Sequence, residues 1–200
     1  MASPRVLVLS LEGEPGVGKS HIWRLLKTGI HLDEGFVTNP KDPLSPQSFS
    51  RELEWVVKYY KRIRLACKPH LQADDGDKLL VVTDRSPYSG CVFAESGREL
   101  LRGATAMLEE EVAALGVQFL RVRVVAELAV VKRRVRERLS SKGESWRLSL
   151  HEDDEDHLLR VRGKYDDMSD LWDYIIENGD DEDPMKGVRA VKAILEEMGF

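Results

Sequence analysis

The chain is short of the residues and runs that mark several protein classes. Only two of its 200 residues are cysteine, Cys67 and Cys91. They are too few to staple a fold of this length and have no metal-ligand spacing, so reduced thiols and an intracellular, cytoplasmic address are expected. Positive charge is not in excess. Thirty Lys and Arg against 35 Asp and Glu leave a formal net charge of -5, so the chain is no nucleic-acid coat and any anion must be held by a local cluster. Its basic residues are not interleaved with aromatics as a single-strand binder requires, and no nucleic-acid partner is expected. No apolar run approaches the roughly 20 residues of a membrane span, and the opening MASPR starts no signal-peptide apolar region. Membrane and secreted readings are weak from the outset. With 42% hydrophobic and 32% charged residues, the composition is that of a globular protein. The length suits one domain, here residues 1–200, whose core needs neither disulfide nor structural metal.

Residues 5–11 form an unbroken run of strand formers, the mark of a strand buried on both faces in a parallel sheet. Further strands are expected over 35–38, 79–83, 117–125 and 172–177. Helices are expected from His21 to Leu26 and over 46–66, 88–115 with a break near Gly97, 127–139, 152–170 and 184–198. Strands alternating with helices imply an α/β fold around a mostly parallel sheet. Residues 39–48 read as a functional loop and 140–149 as a lid or a surface turn. The acidic run 152–156 reads as a solvated first helical turn.

Gly13-Glu14-Pro15-Gly16-Val17-Gly18-Lys19-Ser20 matches G-x-x-x-x-G-K-[ST] in full, between a buried strand and a helix start. Chance alone gives such a match in on the order of one chain of this length in a hundred, and the strand and helix on either side lower that further. Its glycines let backbone N–H groups surround phosphate oxygens. Lys19 is placed to reach the β- and γ-phosphates of a nucleoside triphosphate, and the Ser20 hydroxyl to hold Mg²⁺. Asp84 ends the apolar run 79–83, at the edge where open α/β sheets bind ligands, and is the second expected Mg²⁺ ligand. Arg85 beside it is expected to clamp a phosphate or hold an acceptor. Lys132, Arg133, Arg134, Arg136 and Arg138 crowd one helix end. A helix cannot aim them all one way. Arg138, nearest the break, is the expected transition-state cation, and Arg134 is expected to help hold the nucleotide.

The segments EGEPGVGKS and TDRSPYSGCVFAES together resemble the deoxynucleoside kinase family, whose E/D-R-S motif is followed by Y-S and V-F-A-E. Arg85, Ser86, Tyr88, Ser89, Val92, Phe93, Ala94 and Glu95 match it. The related thymidylate (dTMP) kinases carry D-R-[YH] and, in some members, S-G with a later Phe, which Asp84, Arg85, Ser89, Gly90 and Phe93 also fit. The resemblance implies a three-layer α/β/α P-loop NTPase fold with a five-stranded parallel sheet and a short arginine-bearing lid, here 138–151. It implies ATP and Mg²⁺ as cofactors and a small-molecule nucleoside or nucleoside monophosphate as substrate. Family members are often dimers, so a homodimer is the expected assembly, although no residue here demonstrates one.

The family places a Glu before Pro at the end of strand two as general base for the 5′-hydroxyl. The aligned residues here are Thr38-Asn39-Pro40, and an amide cannot accept that proton; Asp42 and Glu34 are the substitutes. The family's base-reading Gln aligns with Glu54. Trp55, Tyr59 and Tyr60, at helical spacing, are candidates either to sandwich a nucleobase or to fill the core, and Tyr88 and Phe93 carry the same two readings.

Four functions remain open. The leading one is transfer of the ATP γ-phosphoryl to a deoxynucleoside 5′-hydroxyl. A monophosphate acceptor, as in thymidylate kinases, needs no hydroxyl base but wants further cations, for which Arg51, Arg62, Arg64 and Arg98 are available. From other classes come a P-loop regulatory switch, without an N-K-x-D-type guanine-reading sequence in its favour, and a catalytically silent nucleotide-binding protein.

Overall fold

The computed structural model describes residues 5–34, 44–45, 47–73, 76–140, 152–179 and 183–200. The run VLVLSLE forms β1 (Val6–Glu12), buried along its whole length. Its alternation splits the interior in two. Val6 and Val8 face one core; Leu7, Leu9 and Leu11 face the other. Two polar residues on the Val6 face, Ser10 and Glu12, are buried as well.

Five parallel strands lie in the order β2-β3-β1-β4-β5, with β2 (Ile30–Leu32), β3 (Leu79–Asp84), β4 (Val117–Val125) and β5 (Tyr174–Glu177) flanking β1. One core takes Ile22 of α1 (Lys19–Leu25), Val131 and Val135 of α5 (Leu128–Leu139), and Val188 and Val191 of α7 (Lys186–Glu197). The other takes Tyr60 and Ile63 of α2 (Phe49–Gln72), Val92 of α3 (Tyr88–Phe93), Leu101 of α4 (Arg98–Ala113) and Tyr165 of α6 (Glu155–Asp166). Three layers result, as the resemblance implies.

The chain leaves β1 toward one layer and β3 toward the other. The carboxyl ends of these adjacent strands therefore part at a topological switch point, where α/β sheets bind ligands. Leu11 pairs with Asp84 across them, which sets the first residue of the glycine loop level with the second candidate motif.

Most element boundaries follow the sequence pattern. The break near Gly97 falls between α3 and α4, with Gly97 left-handed at φ 71°. Helix α2 runs past the expected residue 66 because its buried stripe continues through Cys67. Among the described residues the strand between α1 and α2 is Ile30–Leu32, paired with Val81–Thr83; the expected strand over 35–38 lies outside the described residues. So do Asn39, Asp42 and all but the first residues of the expected lid 138–151. Glu152 is a correction: it is buried rather than solvated.

Candidate active site

Gly13, Gly16 and Gly18 adopt φ of 135°, 85° and 97°, a region that a side chain makes costly. Gly16 also needs its bareness for packing, since an added Cβ would lie 3.0 Å from the Val131 carbonyl of α5. The loop is braced at its crown. Asn178 Nδ2 donates to the Val17 carbonyl at 2.8 Å. Arg134 donates to the carbonyls of Val17 and Asn178, at 3.5 and 2.9 Å. At its base, the buried Glu14 carboxylate takes two hydrogen bonds from Arg162 of α6, from Nε at 2.8 Å and Nη2 at 2.5 Å.

Lys19 turns back over this loop, its ammonium donating to the carbonyls of Gly13 and Glu14 at 2.8 and 3.0 Å. Burial, and secondly the neighbouring Arg85 cation, lower its pKa to about 8, against the pull of Asp84, Glu34 and Glu12. Ser20 Oγ donates to Asp84 Oδ2 at 2.6 Å, so the two expected metal ligands meet. A hydroxyl beside a carboxylate is an all-oxygen donor pair that suits Mg²⁺, which usually draws its remaining ligands from water and substrate phosphates. No group of three or more His, Cys, Asp or Glu with metal-site geometry occurs among the described residues.

Arg85 holds a left-handed backbone at φ 78°, unusual for a side chain of this size. Its Nη1 donates to the Gly13 carbonyl at 3.2 Å and to the Tyr165 hydroxyl at 3.0 Å. Its Nε lies 3.0 Å from Glu34 Oε1, and its guanidinium sits 4.9 Å from the centre of the Phe93 ring. Behind it Glu12 is fully satisfied, accepting from Ser86 N at 2.6 Å, Ser89 Oγ at 2.7 Å and Tyr165 Oη at 3.1 Å.

Glu34 follows β2 and is fixed through its backbone, whose carbonyl accepts from Trp55 Nε1 at 2.7 Å. It opens into a cavity of about 200 Å³ that it shares with Lys19, Ser20, Asp84, Arg85, Arg134 and Arg138. Glu34 thus lies just past the carboxyl end of β2, which ends at Leu32.

Several expected acceptor contacts fall elsewhere. Glu54 is exposed and pairs with Lys58 at 2.6 Å; the buried carboxyl of this turn is Glu52. The Tyr59 hydroxyl lies against the hydroxyls of Ser10 and Thr83, at 3.1 and 3.2 Å, in the core beneath the sheet edge. Tyr88 is also core, its ring under the Arg121 guanidinium at 5.2 Å. Arg62 is engaged by Asp33 at 2.7 Å, and Arg64 lies on a groove away from the cavity. Arg138 lines the cavity and pairs with Glu152. Trp55 and Phe93 remain beside the site through Glu34 and Arg85. The Glu14–Arg162 pair and the Asn178 brace have no motif that announces them.

No family model matches the chain, and no curated protein matches it in sequence. Solved structures do share its architecture. Polyphosphate kinase 2 from Arthrobacter aurescens TC1 superposes with a TM-score of 0.60 at 16% identity, over 98% of this chain and 68% of that one. Deoxyadenosine kinase from M. mycoides, solved with the products dCMP and a flexible dCDP, gives 0.58 at 12% identity, over 95% of this chain and 99% of that one. The chain has the fold of the P-loop kinases.

Proposed function

We propose that this chain transfers the γ-phosphoryl group of ATP to the 5′-hydroxyl of a deoxynucleoside. The observation that carries the reading is the Glu34–Arg85 pair, 3.0 Å apart, in the same cavity as Lys19, Ser20 and Asp84. A carboxylate held there is a general base for a hydroxyl acceptor. In the proposed step Glu34 takes the 5′-proton, the oxygen bonds to the γ-phosphorus, and the bond to the β-phosphate oxygen breaks as ADP leaves. Lys19, Arg138 and the backbone amides of residues 13–20 stabilise the charge on the transferred group. Arg85 holds Glu34 and so orients the acceptor. Ser20 and Asp84 would hold Mg²⁺, which when bound neutralises triphosphate charge.

The likeness to a deoxyadenosine kinase agrees with a nucleoside acceptor. A thymidylate-type monophosphate acceptor is the weaker alternative, since the reason for it was the lack of a hydroxyl base, and a Glu34 carboxylate would repel an incoming phosphate.

A coupled assay with thymidine, deoxycytidine, deoxyadenosine, deoxyguanosine and dTMP, each with ATP and separately with inorganic polyphosphate, tests the proposal. Turnover of at least one nucleoside with ATP is expected; turnover of dTMP alone would overturn it. Glu34→Gln should lower kcat by about 10²- to 10⁴-fold and leave the ATP KM nearly unchanged.

A further inference from the structure

Two arginines of α5 line the catalytic cavity, and they are held in different ways. Arg134 braces the glycine loop through the carbonyls of Val17 and Asn178. Arg138, in the last turn of the helix, donates through Nη2 to the Glu152 carboxylate. Glu152 is 4% exposed, although the four residues after it, Asp153, Asp154, Glu155 and Asp156, are all exposed. Solvation of an acidic run therefore does not account for it. A carboxylate taken out of water costs several kcal/mol unless a cation compensates it, and Arg138 supplies that cation.

The entry of the chain into α6 sets Glu152 in place. Asp154 caps that helix, its Oδ1 accepting from Asp156 N at 2.9 Å. Lys132 of α5 pairs with Glu155 at 2.5 Å, and Leu158 of α6 shares a core with Val131 and Val135 of α5. Cap, ion pair and packing fix the start of α6 against α5, with Glu152 two residues ahead of the cap. A carboxylate so placed could either draw an arginine away from a site or hold it at the wall. Paired with Glu152, Arg138 still lines the cavity that holds Lys19, Ser20 and Asp84, which favours the second.

We infer that Glu152 is a positioning residue for phosphoryl transfer: it holds the Arg138 guanidinium at the cavity wall, where the transferred group passes. The inference rests on the proposed phosphoryl transfer, though not on which acceptor is used. A long arginine side chain carries about 2 kcal/mol of rotamer entropy. Held in advance, it stabilises developing charge without reordering during the step. A planar guanidinium can grip a carboxylate with one edge and phosphate oxygens with another.

A double-mutant cycle between Arg138→Gln and Glu152→Gln, the second nearly isosteric, tests it. One readout is kcat with the fastest acceptor of the coupled assay. The other is the affinity of the full chain for ADP and Mg²⁺ with aluminium fluoride, a mimic of the group in transit, in the presence of the same acceptors. Arg138→Gln should lower kcat by about 10²- to 10³-fold, and Glu152→Gln by about tenfold to a hundredfold. Both should weaken the fluoride complex by at least about tenfold and leave ADP affinity within about threefold. Added to Arg138→Gln, Glu152→Gln should cost less than about a further threefold. Glu152→Asp, which keeps the carboxylate, should recover part of the loss. Glu155→Gln, which breaks the neighbouring ion pair between the same two helices, should leave kcat unchanged. Full activity in Glu152→Gln would overturn the inference, as would effects that multiply in the double variant or an equal loss in Glu155→Gln. A native chain that binds ADP no better with aluminium fluoride than without it would overturn it too. Coupling of the two positions with dTMP as sole acceptor would uphold the role of Glu152 while overturning the nucleoside reading.

Discussion

Glu52 stands in the first turn of α2, 3% exposed. Burial, and then the negative charge of Glu34, raise its pKa from 4.5 to about 8, with Arg85 opposing. Its folded value lies above its unfolded one, so between them the native state binds more protons. The stability this group contributes is complete below about 4.5 and is lost as pH rises toward about 8. Urea midpoints should therefore fall from pH 5.5 to pH 8.5, and Glu52→Gln should flatten that slope. An unchanged slope in the variant would mean the carboxyl ionises freely. The sequence shows this turn as helical but does not show which of Glu52 and Glu54 points inward. The resemblance aligned Glu54 with a base-reading residue; the amphipathic stripe through Trp55, Val56, Tyr59, Tyr60 and Ile63 puts Glu52 inside and leaves Glu54 in solvent. Tyr59 was open to both readings on spacing, and two facing hydroxyls on β1 and β3 decide for the core. Lys19, Ser20, Asp84 and Arg85, by contrast, were legible because their motifs are local to one strand end each.

At the scale of elements, α6 braces the glycine loop through Arg162. Arg162 spans from α6 to the buried Glu14 carboxylate and also donates to the Ala126 carbonyl at 2.7 Å. Arg162→Ala would leave a buried carboxylate uncompensated, so a loss of about 3 kcal/mol is expected in urea denaturation. The ATP KM should rise as the loop loosens, and Arg162→Lys should recover only part of each because an ammonium cannot form the two-pronged contact. No motif foretold this pair, since its members are 148 residues apart and α6 reads on its own as an ordinary charged helix. Strand β2 went unforeseen for a different reason. Ile-His-Leu, with Ile30 exposed and the other two half-buried, makes no apolar run. Its position depends on pairing with β3, a non-local fact, and with it depends the identity of the candidate base.

For the molecule as a whole, a ligand that binds only the native state should raise its stability by mass action, about 2.7 kcal/mol at a hundredfold excess over Kd. For a domain of this size that corresponds to roughly 5–10 °C in Tm. Thermal scans with ATP and Mg²⁺ should show such a shift, and Lys19→Ala should abolish most of it without lowering the unliganded Tm. The layered fold itself was readable from the alternation of strands and helices, because each strand's burial is written in its own residues. How the layers meet was not. Arg85 touches the glycine loop at Gly13, the end of β2 at Glu34, α3 at Ser89 and α6 at Tyr165, while its own backbone sits in a costly conformation. No neighbouring stretch of sequence can hold it so by itself. The proposed turnover therefore belongs to the finished chain: a fragment that retains every motif residue but lacks α6 would have the alphabet of the site without its spelling, and a refolding population should regain any catalysis only in step with the last element to dock.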